Sequence, residues 1–293
     1  KKETILQMWQ RLQHKEILVF NKLLTGGFRV GVSATLFIKG LSKATGIDAS
    51  KLTHRVMGVW QPANTSFDHL IFAENVNDDL SKPYPFYLAY PLEQIYNLGP
   101  KQEWIAEWKW DGIRSQIIKR NGALFIWSRG EELITDKFPE LQSLNAALPD
   151  GTVIDGELMC HNGEHPLPFH LLQTRISSKT VSKKQLTEAP AIIMAYDLLE
   201  WNGLDIRNEP MHIRRQLLEA CVAASRHEKL VCSPLVDFNN WDELNEKRLE
   251  AEKVLAEGFM LKHIHSTYKV GRKKGDWWKW KIEPRTIDGV LIY

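Results

Sequence analysis

Apolar residues recur at intervals of three or four positions through the first sixty residues, as in the series Ile5, Met8, Trp9 and Leu12. Side chains at that spacing fall on one face of an α-helix, which can then pack against a core. The glycine pair at residues 26–27 interrupts the spacing, and paired glycines are typical of a helix end. The opening part of the chain is therefore predicted to be all-helical.

The next segment, residues 62–91, lacks such a period. It is richer in proline, asparagine and aspartate than the segments on either side, and these residue types favour turns and loops. We interpret it as a long loop that links two domains, and we expect the domain boundary near residue 95.

Beyond residue 95, apolar residues alternate with polar ones, which is the period of a β-strand with one buried face. Strands are predicted at residues 104–109, 115–119, 123–127, 152–159, 191–198, 259–262 and 277–282. Helices are predicted at residues 138–148, 167–175, 210–224 and 241–255. The pattern predicts an α+β fold, in which an all-helical domain precedes a domain built on antiparallel sheets around one cleft.

The composition is that of an ordinary globular protein. Of its 293 residues, 43% are hydrophobic and 25% are charged. A chain of this length can form two domains, each with its own core. No apolar run approaches the length of a membrane span. The net charge is only +2, because 38 basic residues nearly balance 36 acidic ones. Attraction to a nucleic acid would therefore depend on the local placement of charge.

Three cysteines are present, Cys160, Cys221 and Cys232. They are too few for a four-cysteine zinc site and lack paired spacing, so free thiols are expected. Free thiols are typical of a reducing compartment. We therefore expect a cytoplasmic protein with no membrane attachment.

The run EWKWDGIR at residues 107–114 contains the most informative chemistry. In a strand, alternation puts Glu107 and Lys109 on one face and the neighbouring tryptophans on the other. A lysine among an acid, a glycine and an arginine suits attack on a phosphorus and covalent capture of a nucleotide. A charged strand followed by an Asp-Gly turn explains the run equally well, so both interpretations stay open for this run alone.

Four downstream segments favour the first interpretation. They are VIDGE (residues 153–157), AYDLL (195–199), EGFMLK (257–262) and WKWK (278–281). Together with the run around Lys109, and in this order, they resemble nucleotidyltransferase motifs I, III, IIIa, IV and V of the ATP-dependent DNA ligases. The resemblance covers nearly the whole chain.

Two further runs, LTGGFRVG at residues 24–31 and LAYPL at 88–92, resemble the larger bacterial ATP-dependent ligases, in which a helical DNA-binding domain precedes the catalytic one. By that resemblance, residues 1–95 form the helical domain with its linker, and residues 96–286 form the adenylation domain. Residues 287–293 would begin an oligonucleotide-binding (OB) barrel. We accordingly expect the barrel to be truncated and the helical domain to be incomplete at its start.

The resemblance also implies roles for the nucleotide-binding residues. Lys109 would attack the α-phosphorus of ATP, Glu107 would accept a hydrogen bond from the adenine amino group, and Arg114 would hold the ribose. Tyr196 would stack on adenine, and Arg129 would reach the nucleotide or the nick phosphate. Alternatively, Tyr196 is an aromatic residue of the core, and Arg129 forms an ion pair on the surface.

A metal site is implied at Glu257 and Glu157, since Mg²⁺ prefers oxygen ligands and bridges to phosphates. Mn²⁺ is an alternative ion, and Glu157 alternatively lies near the ribose hydroxyls. Lys262, Lys279 and Lys281 would offset the charge that builds on the α-phosphate during attack. A solvated surface acid is the alternative for either glutamate taken alone.

DNA contacts are expected from the basic loop GRKKG at residues 271–275, through Arg272, Lys273 and Lys274, and from Arg29 in the glycine-rich turn. Such side chains would grip the phosphate backbone without reading base sequence.

The function implied is that of a monomeric enzyme that uses ATP to seal nicks in duplex DNA, through a covalent lysyl-adenylate and a DNA-adenylate. An RNA ligase or mRNA-capping nucleotidyltransferase is one alternative, and the long helical segment ahead of the catalytic motifs argues against it. A non-catalytic DNA-clamping scaffold is another. The intact set of charged motif residues argues against that, because buried charges without a role cost stability.

Overall fold

A computed structural model of the protein describes residues 2–24, 34–49, 52, 55–56, 63, 65–73, 80–130, 132–178 and 180–282. The chain divides into two compact units, Lys1–Leu52 and Thr53–Tyr293. The assignment of a helical DNA-binding domain up to residue 95 and of an adenylation domain up to residue 286 stays a prediction. The expected start of an OB barrel at residues 287–293 lies outside the described residues.

The first unit is helical in its described part. Its helices are α1 (Lys2–Arg11), α2 (His14–Leu24) and α3 (Ala34–Thr45). The indole N–H of Trp9 donates a hydrogen bond of 2.7 Å to the side chain of Asn21 and so connects α1 with α2. The glycine-rich turn, with the predicted DNA contact Arg29, lies outside the described residues, so DNA binding by this unit stays a prediction.

The second unit combines strands and helices. Its strands are β1 (Tyr87–Leu88), β2 (Tyr90–Pro91), β3 (Trp104–Trp110), β4 (Ile113–Arg120), β5 (Ala123–Ser128), β6 (Thr152–Cys160), β7 (Ala191–Trp201), β8 (Leu204–Asp205), β9 (Leu230–Cys232), β10 (Ala256–His263), β11 (Gly271–Arg272) and β12 (Trp277–Lys281). Its α-helices are α4 (Phe67–Phe72), α5 (Leu144–Ala147), α6 (Phe169–Ser177), α7 (Lys183–Glu188), α8 (Met211–Ser225) and α9 (Trp241–Arg248). Short 3₁₀ helices span Ile95–Leu98, Lys101–Glu103, Thr135–Lys137, Pro139–Ser143 and Ala251–Val254.

The strands of this unit form two main sheets. One has the order β5-β4-β6-β7-β8 and gains β9 beside β7, while the other has the order β2-β12-β10-β3. The long pairs β4–β6, β6–β7, β3–β10 and β10–β12 are all antiparallel. The α+β class and the antiparallel sheets predicted from the sequence are therefore confirmed.

The chain crosses from one main sheet to the other in a two-residue turn. Asp111 and Gly112 join the end of β3 to the start of β4. A Cβ atom on Gly112 would lie 2.6 Å from the carbonyl oxygen of Leu158, so only glycine lets the turn approach β6 this closely. The predicted turn role of this Asp-Gly pair is confirmed.

The largest hydrophobic core contains residues from the first sheet and from α8. Ile117, Ile154 and Ile193, from its three central strands, are fully buried, and Leu218 of α8 belongs to the same cluster. Burial of such a side chain stabilises a fold by about 1.5–3 kcal/mol. This packing fixes β6 and β7, the strands that carry two of the predicted site residues.

Two predicted helices differ from those observed. The segment 138–148 begins as the 3₁₀ helix Pro139–Ser143 and becomes α-helical only in α5. Its buried residues Phe138, Leu141 and Leu144 are three apart, and side chains at that spacing align on one face of a 3₁₀ helix. The helix predicted at 241–255 ends at Arg248, and the 3₁₀ helix Ala251–Val254 follows it before β10 begins at Ala256.

The predicted linker at residues 62–91 also needs correction. It contains the short helix α4, whose first turn is capped by the hydroxyl of Ser66 accepting from the backbone N–H of His69. It also contributes β1 and β2, which pair in parallel with β11 and β12. Two-residue strands that pair with distant partners leave no period in the sequence, so alternation could not reveal them.

The described residues contain no helix with both the length and the hydrophobicity that a membrane crossing requires. Cys160 and Cys221 are buried and Cys232 is half-buried, and all three are free thiols, as expected.

Candidate active site

A cleft of about 610 Å³ lies where the two main sheets meet. Side chains from both sheets line it. They include eleven of the predicted site residues, which are Glu107, Lys109, Arg114, Arg129, Glu157, Tyr196, Glu257, Lys262, Arg272, Lys279 and Lys281. Residues that are far apart in the sequence therefore converge on one cavity.

Lys109 stands near the end of β3 and forms an ion pair with Glu257 on β10. The same oxygen of Glu257 lies 2.9 Å from the ammonium nitrogen of Lys281. Burial alone would raise the pKa of Glu257, but the hydrogen bonds from Lys109 and Lys281 outweigh it and hold the pKa below its ordinary value. The Lys109 side chain is 24% exposed, so its amine is both held and accessible from the cleft.

Gly258 places Glu257 at this position. Its φ is +131°, a backbone conformation that residues other than glycine rarely adopt. The pairing of β10 with β3 is irregular between Ala256 and Phe259. A Cβ atom on Gly258 would lie 2.2 Å from the carbonyl oxygen of Trp280. The glycine after the acid is therefore required by the backbone of the strand.

Several cations gather around Lys279 of β12. Burial lowers the pKa of Lys279 most, and the positive charges of Arg272, Lys281, Lys109 and Arg129 lower it further. Such mutual repulsion indicates that the electrostatic potential in this region is positive. A bound anion would reduce the repulsion. We call Arg129, Arg272, Lys279 and Lys281 the cationic cluster, and a polyphosphate is the kind of ligand it suits.

Trp278 and Trp280 alternate with these lysines along β12. Trp278 and Trp280 pack into the hydrophobic cluster that contains Trp104 and Phe259, while Lys279 and Lys281 line the cleft. Alternation along β12 thus separates a core face from a charged face.

Arg114 is held by a buried acid that the motif analysis did not assign. Its guanidinium donates to both oxygens of Asp155, at 3.1 and 2.7 Å, and to the carbonyl oxygen of Tyr87 at 2.6 Å. The hydroxyl of Tyr268 donates to Asp155 at 2.6 Å. A bidentate pair of this kind fixes the orientation of an arginine, so Asp155 determines how Arg114 faces the cleft.

Glu157 lies opposite Arg114 in the β4–β6 ladder, and its carboxyl group is 3.4 Å from the hydroxyl of Tyr196. Burial raises the pKa of Glu157 to about 8, although the charges of Lys109 and Arg114 act in the opposite direction. At neutral pH the side chain is therefore mainly a neutral acid, which can donate a hydrogen bond as well as accept one.

A pH-dependent stability follows from this residue. Because the folded protein favours the neutral acid, its contribution is fully present below pH 4.5 and is lost as the pH rises toward 8. The free energy of unfolding of the wild type should therefore fall relative to that of Glu157→Gln by up to about 1.4 kcal/mol per pH unit between pH 5 and 8. Denaturant unfolding at each pH measures the difference. Glu188→Gln, at an exposed position, should leave the slope unchanged, and parallel curves for wild type and Glu157→Gln would contradict the shift.

Glu107 is almost fully buried, at 2% exposure. Its Oε2 is 2.5 Å from the ammonium nitrogen of Lys262, and its Oε1 accepts a bond of 2.7 Å from Arg215 on α8. Lys262 also donates to the carbonyl oxygen of Tyr196 at 3.1 Å. Lys262 thus binds the acid at the base of the cleft, whereas Lys281 pairs with Glu257.

Tyr196 places its ring beside these charges. The ammonium of Lys262 lies 4.7 Å from the centre of the Tyr196 ring, and the guanidinium carbon of Arg114 lies 5.9 Å from it. The ring lines the cleft together with the side chain of Met260. A flat aromatic surface in a cleft is suited to stacking against a nucleobase.

Not every predicted residue lies in the cleft. Lys273 and Lys274 are exposed beyond its rim, next to Arg272, and Arg29 lies outside the described residues. Two functional neighbours, Asp155 and Arg215, were not assigned. Arg214 and Arg215 lie three and four positions after Met211 and before Leu218 at matching helical spacing, so they fall on the apolar stripe of the helix, and this placement indicates buried arginines.

Solved structures of DNA ligases resemble the fold of this chain. The mycobacterial DNA ligase D complexed with ATP and MES aligns with a TM-score of 0.54 and 25% identity, covering 67% of this chain and 60% of its own. The Chlorella virus DNA ligase-adenylate, at 21% identity, shares the fold with a TM-score of 0.52, over 68% of this chain and 69% of its own. The second unit therefore has the fold class of ligase adenylation domains.

Sequence comparison is more specific. A family model described as "ATP dependent DNA ligase domain" matches residues 87–281, which is more than half of the chain. The chain therefore belongs to the ATP-dependent DNA ligase family.

Curated relatives agree with this family. A "Probable DNA ligase" of Koribacter versatilis is 27% identical over 99% of this chain and 54% of its own length. A "DNA ligase" of Sulfophobococcus zilligii is 30% identical over 70% of this chain and 35% of its own length. The chain thus spans about half the length of these relatives, or less.

Proposed function

We propose that the protein is a monomeric, cytoplasmic ligase that seals nicks in duplex DNA at the expense of ATP. One observation carries the proposal: an accessible lysine, Lys109, opens onto the same cleft as the cationic cluster and Tyr196. A nucleophile, a polyphosphate site and a base-stacking surface are the three elements that lysyl-adenylate formation needs.

In the first step, the neutral amine of Lys109 attacks the α-phosphorus of ATP. The ammonium proton of Lys109 passes to solvent beforehand; a nitrogen–phosphorus bond then forms, and the bond to the pyrophosphate oxygen breaks. The cationic cluster offsets the charge that builds on the phosphate oxygens and on pyrophosphate. Positioning and electrostatics account for most catalysis in phosphoryl transfer, which fits a site made of fixed cations.

The nucleoside would be bound at the closed end of the cleft. Adenine would stack on Tyr196 and donate its amino hydrogen to Glu107, while Arg114 and Glu157 would meet the ribose. Support comes from the depth of Glu107 and from the neutral form of Glu157, since a neutral acid can bond to a hydroxyl without adding negative charge near the phosphates.

Mg²⁺ is the expected metal ion, with Mn²⁺ as an alternative. Mg²⁺ is commonly bound by one or two carboxylates together with substrate phosphates rather than by a cage of protein ligands. Glu257 supplies such an oxygen beside the cationic cluster, and Glu157 would supply a second once metal binding displaced its proton, so the donor set fits the ion. When bound, the ion would neutralise phosphate charge, and Glu257 would exchange a lysine partner for it.

In the later steps, a phosphate oxygen at the 5′ side of the nick attacks the phosphorus of the lysyl-adenylate, and Lys109 leaves. The 3′-hydroxyl then attacks the 5′-phosphorus and AMP departs. Arg272, Lys273 and Lys274 would hold the DNA backbone at the rim of the cleft, and Arg29 would contribute from the first unit. Exposed cations in a loop suit phosphate contacts that do not depend on base sequence.

A nick-sealing assay tests the proposal. We expect the protein with ATP and Mg²⁺ to join a nicked DNA duplex, and to show little activity with GTP or with RNA ends. Preference for GTP, or for RNA ends, would favour the capping enzyme or RNA ligase alternative. Binding of DNA without any adenylate would favour a clamping scaffold.

A further inference from the structure

Arg215 on α8 makes three charged or polar contacts within the second unit. Its Nη1 donates to Oε1 of Glu107 at 2.7 Å, its Nη2 donates to the carbonyl oxygen of Ser233 at 2.8 Å, and its Nε donates to Glu219 at 2.6 Å. The side chain is only 8% exposed. A planar guanidinium that is anchored on three sides has little freedom to move.

These contacts connect the two residues that would bind the nucleobase, Glu107 and Tyr196. Glu107 belongs to β3 in one main sheet. Ser233 follows β9, and its N–H donates to the carbonyl oxygen of Ala195 at 2.7 Å, directly before Tyr196 in the other main sheet. Arg215 thus links the strand that carries the acid to the strand that carries the aromatic ring.

Lys262 contacts the other carboxylate oxygen of Glu107, but it cannot hold the carboxylate in place as Arg215 does. An ammonium is a point charge on a flexible stem, whereas a guanidinium presents fixed parallel donors. With one cation on each oxygen, the carboxylate can rotate little, and its remaining acceptor capacity has a defined direction.

We infer that Arg215 is a positioning residue that orients Glu107 toward the nucleobase and thereby determines the preference for a purine with an exocyclic amino group at carbon 6. The inference rests on the proposed function. An acceptor held in one place discriminates because a base that lacks the donor leaves the remaining acceptor position of the buried carboxylate unfilled. A carboxylate that can rotate away from the nucleobase distinguishes less between bases with and without the amino group.

The test compares ATP with purine riboside triphosphate, which carries hydrogen in place of the amino group. Lysyl-adenylate and lysyl-nucleotide formation are measured for wild type and for Arg215→Lys, as kcat and KM. We expect wild type to prefer ATP by roughly tenfold or more in kcat/KM, as for the loss of one hydrogen bond to a charged group. In Arg215→Lys the preference should fall to a few-fold, mainly through a higher KM for ATP.

Controls separate this role from a loss of folding. Arg226→Lys makes the same chemical change at an exposed position just after α8 and should keep the wild-type preference. If Arg215→Lys does not fold, Glu219→Ala removes one anchor at a half-exposed residue and should lower the preference in the same direction.

A folded variant with the wild-type preference, or a wild type with no preference, would overturn the inference. Absence of any adenylate with ATP in the wild type would instead contradict the proposed function. A general structural defect would slow both nucleotides equally and leave their ratio unchanged, which would also overturn the role of Arg215.

Discussion

Replacing Lys109 by alanine or arginine is expected to abolish covalent adenylate formation, with a loss on the order of 10⁴-fold or more. Removal of a catalytic nucleophile has effects of this size. Alanine has no amine, and an arginine guanidinium stays protonated in proteins, so neither offers a nucleophilic lone pair.

Incubation with ATP and Mg²⁺, followed by mass spectrometry of the digested protein, measures this loss and locates the adenylate. Lys184→Arg is a matched control, because Lys184 is 79% exposed on α7 and should tolerate the change without loss of activity. Nucleotide binding should survive in Lys109→Ala, since Tyr196 and the cationic cluster are untouched. Adenylate on another lysine would refute the assignment of the nucleophile.

Asp197→Ala should destabilise the fold by about 3–5 kcal/mol, the usual cost of breaking a buried ion pair. Asp197 and Arg214 are both fully buried and are joined by two hydrogen bonds, of 2.8 and 2.9 Å. Arg214 also donates to the carbonyl oxygen of Ser266 at 3.0 Å, so it connects β7 with the segment after β10. Without Asp197, a guanidinium would stay in the interior with no counter-charge.

Urea unfolding measures this cost. Glu188→Ala removes one partner of the exposed pair with Lys184 and should change the free energy of unfolding by no more than about 1 kcal/mol. The double variant Asp197→Leu with Arg214→Met should lose less than Asp197→Ala, because it leaves no unpaired charge behind. A single variant as stable as the wild type would show that the pair contributes nothing.

The strand-borne part of the site was predictable because its chemistry repeats with the period of the strand. Alternation alone placed Lys279 and Lys281 opposite Trp278 and Trp280, and the structure has them on opposite faces. The same period located the cores of β3, β6, β7 and β12 to within a few residues. Local pattern therefore suffices where a side chain acts through the face on which it stands.

The supporting residues were not predictable in this way. Asp155 meets Arg114 across 41 positions of sequence, and Arg215 meets Glu107 across 108. An acid in a strand or an arginine in a helix has many potential partners, and only the pairing of β4 with β6 and the docking of α8 select one. The strands β1 and β2 escaped prediction for the same reason, since parallel partners late in the chain define them.

The two-residue crossing at Asp111 and Gly112 has a mechanical consequence. Surfaces held together by side chains alone can drift apart during thermal motion, but a short backbone tether limits how far its two ends can separate. Lys109 and Arg114 stand at the two ends of that tether. If the cleft opens to admit or release a nucleotide, this tether keeps the end of β3 close to the start of β4. The attacking nitrogen and the sugar-directed arginine can thus keep their alignment while the cleft opens.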